Sequence, residues 1–191
     1  MSPQSPIIIK RTFPWTDTIQ GQAVTFRLMT REDQLAIVSL ARSLDDVDLA
    51  FLRQDITQTA TVDEWIGQIE RGRTITILVE IQGRVVGYGS LFHDEMLWTS
   101  HIGEIRLLVS GKYRGLGLAK RLAVELFHIA REMRLERVIC QIPAAQTRVR
   151  QMFERLGFSP EAILSDWIMS RDGETHDLII MSRPPDELVI V

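Results

Sequence analysis

Along this chain the spacing of apolar residues switches between alternation and a helical step, and the switches mark its elements. Residues 24–29 are β-rich and read as a first strand. Thr30-Arg31-Glu32-Asp33 fits a capping box and opens a helix whose apolar positions are Leu35, Val38, Leu40 and Ala41. A second box, Thr61-Val62-Asp63-Glu64, predicts the start of a helix through Trp65, Ile66 and Ile69 that stops near Gly72. Residues 75–81 and 85–92 are β-rich runs separated by Gln82-Gly83-Arg84, which predicts a hairpin, and 102–109 predicts the next strand. From Leu116 onward, Ala119, Leu122, Leu126, Ile129 and Met133 step at helical spacing and give one apolar face. A strand over 137–142 is stopped by Pro143, and a shorter helix over 146–156 is closed by Gly157. Residues 163–169 and 178–181 flank Arg171-Asp172-Gly173-Glu174 as a final hairpin. The chain has no internal repeat, low-complexity segment or linker.

The ends read differently. Residues 1–22, punctuated by Pro14 and Gly21, predict an extended arm with two places to pack: the edge of its own domain, or a second copy in a homodimer. Residues 23–184 form a single domain, and 185–191 a short tail.

At 191 residues and 21.9 kDa the chain is long enough for one full-sized core, and 45% apolar with 25% charged residues is ordinary for a soluble globular protein. The net charge of -3 and pI near 5.8 argue against general affinity for nucleic acid or an anionic membrane, so any anion site has to be a local cluster. Cys140 is the single cysteine and lies in the apolar run Val138-Ile139-Cys140, which points to a buried structural thiol and a reducing compartment. The first residues, with Pro3 and Pro6 before Ile7-Ile8-Ile9, lack the basic start and long apolar stretch of a signal peptide. No apolar run approaches the length needed to span a bilayer, and the expected location is the cytoplasm.

The run from Leu107-Leu108-Val109 through Ser110-Gly111-Lys112-Tyr113-Arg114-Gly115-Leu116-Gly117-Leu118-Ala119 carries the chemistry: an apolar strand, a basic glycine-bearing turn, then a helix. Without Cβ atoms, Gly115 and Gly117 let main-chain N–H groups approach an anion, and the helix N-terminus adds partial positive charge. Arg114 and Lys112 add full charges. Two familiar phosphate loops fail on spacing. The dinucleotide fingerprint needs a small residue where Lys120 stands, and the P-loop needs a Gly-Lys-Ser/Thr ending that is absent. The pattern [R/Q]-x-x-G-x-[G/A] fits, with Arg114, Gly117 and Ala119, and resembles the acyl-coenzyme A loop of the GCN5-related N-acetyltransferase (GNAT) superfamily. The element order β-α-α-β-β-β-α-β-α-β-β and the Arg155-Leu156-Gly157-Phe158 ending extend the resemblance over about residues 24 to 183. It implies the acyl-CoA N-acyltransferase (GNAT) fold of the α+β class, with a mixed central sheet flanked by helices.

The resemblance also implies an activity, transfer of acetyl from acetyl-CoA to an amine by direct attack on the thioester. By the same resemblance, pantetheine pairs with the main chain at Leu107, Leu108 and Val109, and Val109 N–H donates to the thioester oxygen. The pyrophosphate rests on the amides of Arg114, Gly115, Leu116, Gly117, Leu118 and Ala119. Glu104 matches the catalytic glutamate of some bacterial protein-lysine acetyltransferases, which makes it the candidate base and favours lysine among acceptors. An ion pair of Glu104 with Arg106, two residues along the same strand face, or with Arg137 is the structural alternative. The family's frequent asparagine falls at Gln146 and its frequent proton-donating tyrosine at Phe153, both assigned to the cofactor site. A phenyl ring cannot donate a proton, although a thiol with a pKa of about 8.5 can leave as a thiolate.

Other polar residues have blander readings. His93 and His101 bracket a loop bordering the acceptor side and are better read as surface histidines than as proton relays. Tyr113, Trp65 and Trp98 read as packing or pocket-wall residues, and Arg148, Arg150 and Arg155 as a solvated basic face. No compact metal-ligand set appears. Two alternatives stay open: a non-catalytic acyl-CoA sensor, which the loss of tyrosine at Phe153 favours, and a structural partner retaining only the fold.

Overall fold

The computed structural model describes residues 12–94 and 98–185. The first eleven residues, the loop residues 95–97 and most of the predicted tail therefore lie outside the described residues. Strands β1 (Trp15–Ile19), β2 (Gln22–Leu28), β3 (Thr74–Ile81), β4 (Arg84–His93), β5 (Ile102–Val109), β6 (Arg137–Pro143), β7 (Ser159–Met169) and β8 (Thr175–Arg183) form one sheet in the order β1-β2-β3-β4-β5-β6-β8-β7. All neighbours are antiparallel except β5 and β6, so the sheet is mixed as expected. The α-helices among the described residues are α1 (Gln34–Arg42), α2 (Asp46–Leu49), α3 (Thr59–Glu70), α4 (Leu118–Glu132) and α5 (Thr147–Arg155).

Two apolar layers cover the sheet. Leu118, Leu122, Leu126 and Ile129 of α4 are buried with Ile77, Val79, Leu91, Ile105 and Val138 in the larger core. Each fully buried leucine there contributes roughly 2 kcal/mol. The helix lies close because β4 has Gly89 beneath it, where a Cβ would stand 3.0 Å from side-chain carbons of Leu107 and Leu126. On the other face Ile37, Val38, Val62, Trp65 and Ile66 from α1 and α3 pack with Leu78, and Tyr88 stacks obliquely on Trp65 at 4.8 Å. The even-numbered residues of β5, Glu104 and Arg106 among them, share this second face by strand alternation.

The expected hairpin at Gln82-Gly83 is present with φ of +52° and +72°, the left-handed pair that suits a tight two-residue turn. Three expectations need correction. Thr61 does not cap α3: the helix already starts at Thr59, with Gln58 at its N-cap, after a turn in which Asp55 accepts from Thr57 N–H. Leu35 is not in the core but 70% exposed, because a 3-10 turn over Arg31–Asp33 precedes α1 and shifts which face is buried. Trp98 is likewise 83% exposed, so it walls no core. The arm's residues 15–19 are extended and pair with β2 at the domain's own edge, where Trp15 stacks on Phe26 at 4.2 Å and Asp17 pairs with Arg121 of α4. Among the described residues no helix is long and apolar enough to cross a membrane.

A charged clamp joins the first layer to the sheet. Arg27 of β2 donates to both oxygens of Asp33, at 2.8 and 2.6 Å, and to Glu80 of β3 at 2.6 Å. Thr30 N–H also donates to Asp33, at 2.8 Å, as the capping box predicts. Burial pushes the Asp33 carboxyl up, but the hydrogen bonds from Arg27 and Thr30 outweigh it and hold it below the usual carboxylate value. A lowered folded-state value means this stabilisation is complete above the unfolded value of about 3.9 and lost as pH falls through the folded value. We expect Asp33→Asn to cost about 2 kcal/mol by urea denaturation at pH 7. The difference from wild type should shrink below about pH 4, and a constant difference would show that the charge contributes nothing.

Candidate active site

Strands β5 and β6 run parallel, yet their ladder covers only Ile102↔Arg137, Gly103↔Val138 and Glu104↔Ile139. Beyond those three pairs the strands separate, leaving a wedge between Leu107–Val109 and the end of β6. The hydrogen-bond register decides which groups face it. Ser110 N–H donates to Val86 O of β4 at 3.0 Å, and amides alternate along a strand, so Leu107 and Val109 point theirs into the wedge. The same alternation corrects the role given to Leu108, whose amide is turned toward β4 and is not free to pair with a ligand. Its side chain remains on the Glu104 face.

At the end of β5 the chain turns through Gly111–Tyr113 and enters α4 with Gly115 at φ +83° and Gly117 at φ +73°. Gly117 is the N-cap residue of α4, and a Cβ at either glycine would meet nothing within 4 Å. The first helical amide to find a carbonyl is that of Arg121, on Gly117 O. Among the described residues the main-chain N–H groups of Gly115, Leu116, Gly117, Leu118 and Ala119 meet no protein acceptor. They form an anion cradle at a helix start, which fits a pyrophosphate. Arg114 faces a competitor that the sequence did not reveal. Asp48 of α2 pairs with the Arg114 guanidinium and also accepts from Gly111 N–H at 3.2 Å.

Parallel strands end together, so Gln146, which precedes α5 just beyond β6, lies at the same end of the wedge as the cradle. Phe153 is 2% exposed and sets its ring edge-on to Phe158 at 4.8 Å. It belongs to the core cluster that also takes in Ile142 and, as partly buried members, Leu107, Val109 and Tyr113. Cys140 is buried, and burial pushes its thiol up, so it is structural.

Away from the cradle, a cavity of about 460 Å³ on the α3 face is lined by Arg71, Arg73, Phe92, His93, Asp94 and Glu104, among others. Glu104 sits between two guanidiniums, Arg53 Nη1 at 2.5 Å and Arg106 Nη2 at 2.9 Å. The Arg106 half of the ion-pair alternative is therefore realised, whereas Arg137 pairs instead with Glu161 at 3.2 Å. Arg53 was missed because it lies on the irregular segment after α2, far from β5 in sequence. His93 is not a free surface histidine: its Nε2–H donates to Gly72 O at 2.6 Å, which fixes the tautomer. His101 is exposed.

Comparison with known proteins shows the family of the chain. The profile of the Acetyltransferase (GNAT) family matches residues 41–158, more than half of the chain, and this chain belongs to that family of acetyl-CoA-dependent N-acetyltransferases. Its fold is similar to a ribosomal-protein-alanine N-acetyltransferase from Brucella melitensis, with a TM-score of 0.73, 23% identity and coverage of 83% of this chain and 98% of that one. A putative acetyltransferase from Salmonella typhimurium with its cofactor acetyl-CoA gives a TM-score of 0.74 at 21% identity, covering 86% and 95%. Spermidine N-acetyltransferase from Vibrio cholerae in complex with CoA and spermine gives 0.71 at 17%, covering 85% and 95%.

The cradle generates a direct test. Gly117→Asp places an anion among the free amides, and acetyl-CoA affinity measured by calorimetry should fall about tenfold or more, or roughly 1.4 kcal/mol. Asparagine tolerates the left-handed conformation without the charge, so Gly117→Asn should lose less. Equal acetyl-CoA binding by a folded Gly117→Asp variant would remove the loop from the site.

Proposed function

We propose that this protein transfers acetyl from acetyl-CoA to a primary amine, on a protein lysine or a small molecule, by direct attack on the thioester. The observation that carries this reading is the open β5 edge running straight into a cradle of free amides. Leu107 and Val109 offer main-chain groups to a pantetheine arm, and residues 115–119 and Arg114 hold its pyrophosphate. Val109 N–H donates to the thioester oxygen as charge develops there, and one such donor is typically worth about 3 kcal/mol. The amine nitrogen forms the new C–N bond while the C–S bond breaks, and the electron pair leaves on sulfur.

Before attack the acceptor must lose a proton, since a lysine ammonium has a pKa of about 10. Glu104 is the group we assign to take it. Along β5 the Cα atoms of Glu104 and Val109 are about 16 Å apart, so the proton passes to Glu104 along a file of water molecules and not by direct contact with the amine. Water also protonates the leaving thiolate, because Phe153 has no hydroxyl. If Glu104 acts this way, Glu104→Gln should lower turnover with little change in acetyl-CoA affinity, and the acid limb of the pH-rate profile should move. A loss confined to stability, with turnover per folded molecule intact, would leave Glu104 only its ion pairs.

Phe153 favours the second reading, a non-catalytic acyl-CoA sensor. Release of CoA thiol over a broad amine panel separates the two, since a sensor binds without turnover. On the catalytic reading Phe153→Tyr returns an acid to the leaving group, and thiol release at saturating acceptor should rise by roughly tenfold or less, given a thiol pKa of about 8.5. A sharp fall in turnover with acetyl-CoA affinity intact would place Phe153 away from the thiol end.

A further inference from the structure

The charge around Glu104 does not balance. One carboxylate sits between the guanidiniums of Arg53 and Arg106, which leaves one positive charge over at a point where the Glu104 side chain is only 14% exposed. Arg106 lies against the Phe92 ring, 4.0 Å from its centroid, and its Nε is buried with no hydrogen-bond partner. Among the described residues Glu104 is the one ion-pair partner of Arg53, so part of its donor fork is open to a further acceptor. Arg71 and Arg73 line the adjoining cavity, against Asp94 and Glu104 as its acids. This excess stands in a protein whose net charge is -3. Burial also lowers Arg53's hold on its proton, with Glu104 opposing that effect, so the site keeps its charge at a cost.

The Arg53 and Arg106 side chains are 36% and 31% exposed, so a solute can reach them, and two guanidiniums sharing one carboxylate favour a second anion. An acceptor with several ammonium groups would add to the imbalance, whereas a carboxylate on the acceptor would cancel it and take a two-pronged hydrogen bond from the free edge of Arg53. We propose that the acceptor is a small amino-acid-like amine whose carboxylate is bound by Arg53, with Arg106 behind it, and that Glu104 holds the two guanidiniums in place. The inference rests on the acetyltransferase reading for the location of the acceptor, and it selects small anionic amines over lysine side chains and polyamines.

The test compares acceptors that differ in one charge. Thiol release is measured with a set of free amino acids, with the carboxamide of each, and with spermidine. The acid of the best pair should have a KM at least tenfold below its amide, and spermidine should be the poorest substrate. Arg53→Gln should raise KM for the acid toward that of the amide, with kcat changed less, and Arg53→Lys should recover part of the loss. An amide equal to or better than its acid overturns the proposal, as does an Arg53→Gln variant that weakens both alike. If that variant does not fold, the acid-amide comparison on the unmodified protein decides. If no amine releases thiol, calorimetry with the same pairs on the CoA-loaded protein decides instead. Binding that requires the carboxylate then supports the anion site while acetyl transfer itself fails, and absent or carboxylate-independent binding overturns the site.

Discussion

The structure is organised around the early end of the β5–β6 ladder. A parallel pair that stops after three residues exposes main-chain donors and acceptors on two strands at the middle of a sheet, where unpaired backbone is costly. That cost is useful when a ligand with its own amides supplies the missing partners. Because parallel strands share a direction, the wedge opens where both end, and each is followed by a helix start: α4 after the Gly115-Leu116-Gly117 turn, α5 after Gln146. The helix axes, the open edge and the anion cradle thus converge from one topological fact.

The remaining elements hold that geometry rather than create it. Helix α4 is pressed to the sheet at Gly89, and Arg121, near its start, is tied to β1 through Asp17. On the opposite face the Arg27–Asp33–Glu80 clamp fixes the turn into α1, so the layer covering Tyr88 and Glu104's face has a defined seat. The irregular stretch after α2 is attached at its far side by Arg171 to Asp55 and by Phe51 against His176, which links the segment carrying Arg53 to the β7–β8 hairpin.

Charge is distributed unevenly for a mildly acidic protein. Cations gather at the cradle and around Glu104, with acids placed as local partners: Asp48 on Arg114, Glu104 on Arg53 and Arg106. Such pairing keeps exposed arginines from attracting anions indiscriminately while leaving donors for a ligand of the right shape. Positive charge therefore stands at two places in the fold, the turn into α4 and the guanidinium pair on Glu104.

Much of this was written in local pattern. The strands from β2 to β6, the Gln82-Gly83 turn, α4 with its apolar face and the cradle glycines all follow from residues close together in sequence, where period, turn type and the absence of a Cβ act over a few bonds. The register was not local. Only the pairing of Ser110 with Val86 decides that Leu107 and Val109, and not Leu108, face the wedge. Likewise β1 as an edge strand, Asp48 on Arg114 and Arg53 on Glu104 join residues dozens of positions apart, and Thr61 and Leu35 lost their expected roles when packing set where each helix begins and which side it buries. Local chemistry therefore determined which segments can be strand, helix or anion loop, and tertiary structure decided which charges meet, because burial and ion pairing depend on distance in space and not on spacing along the chain.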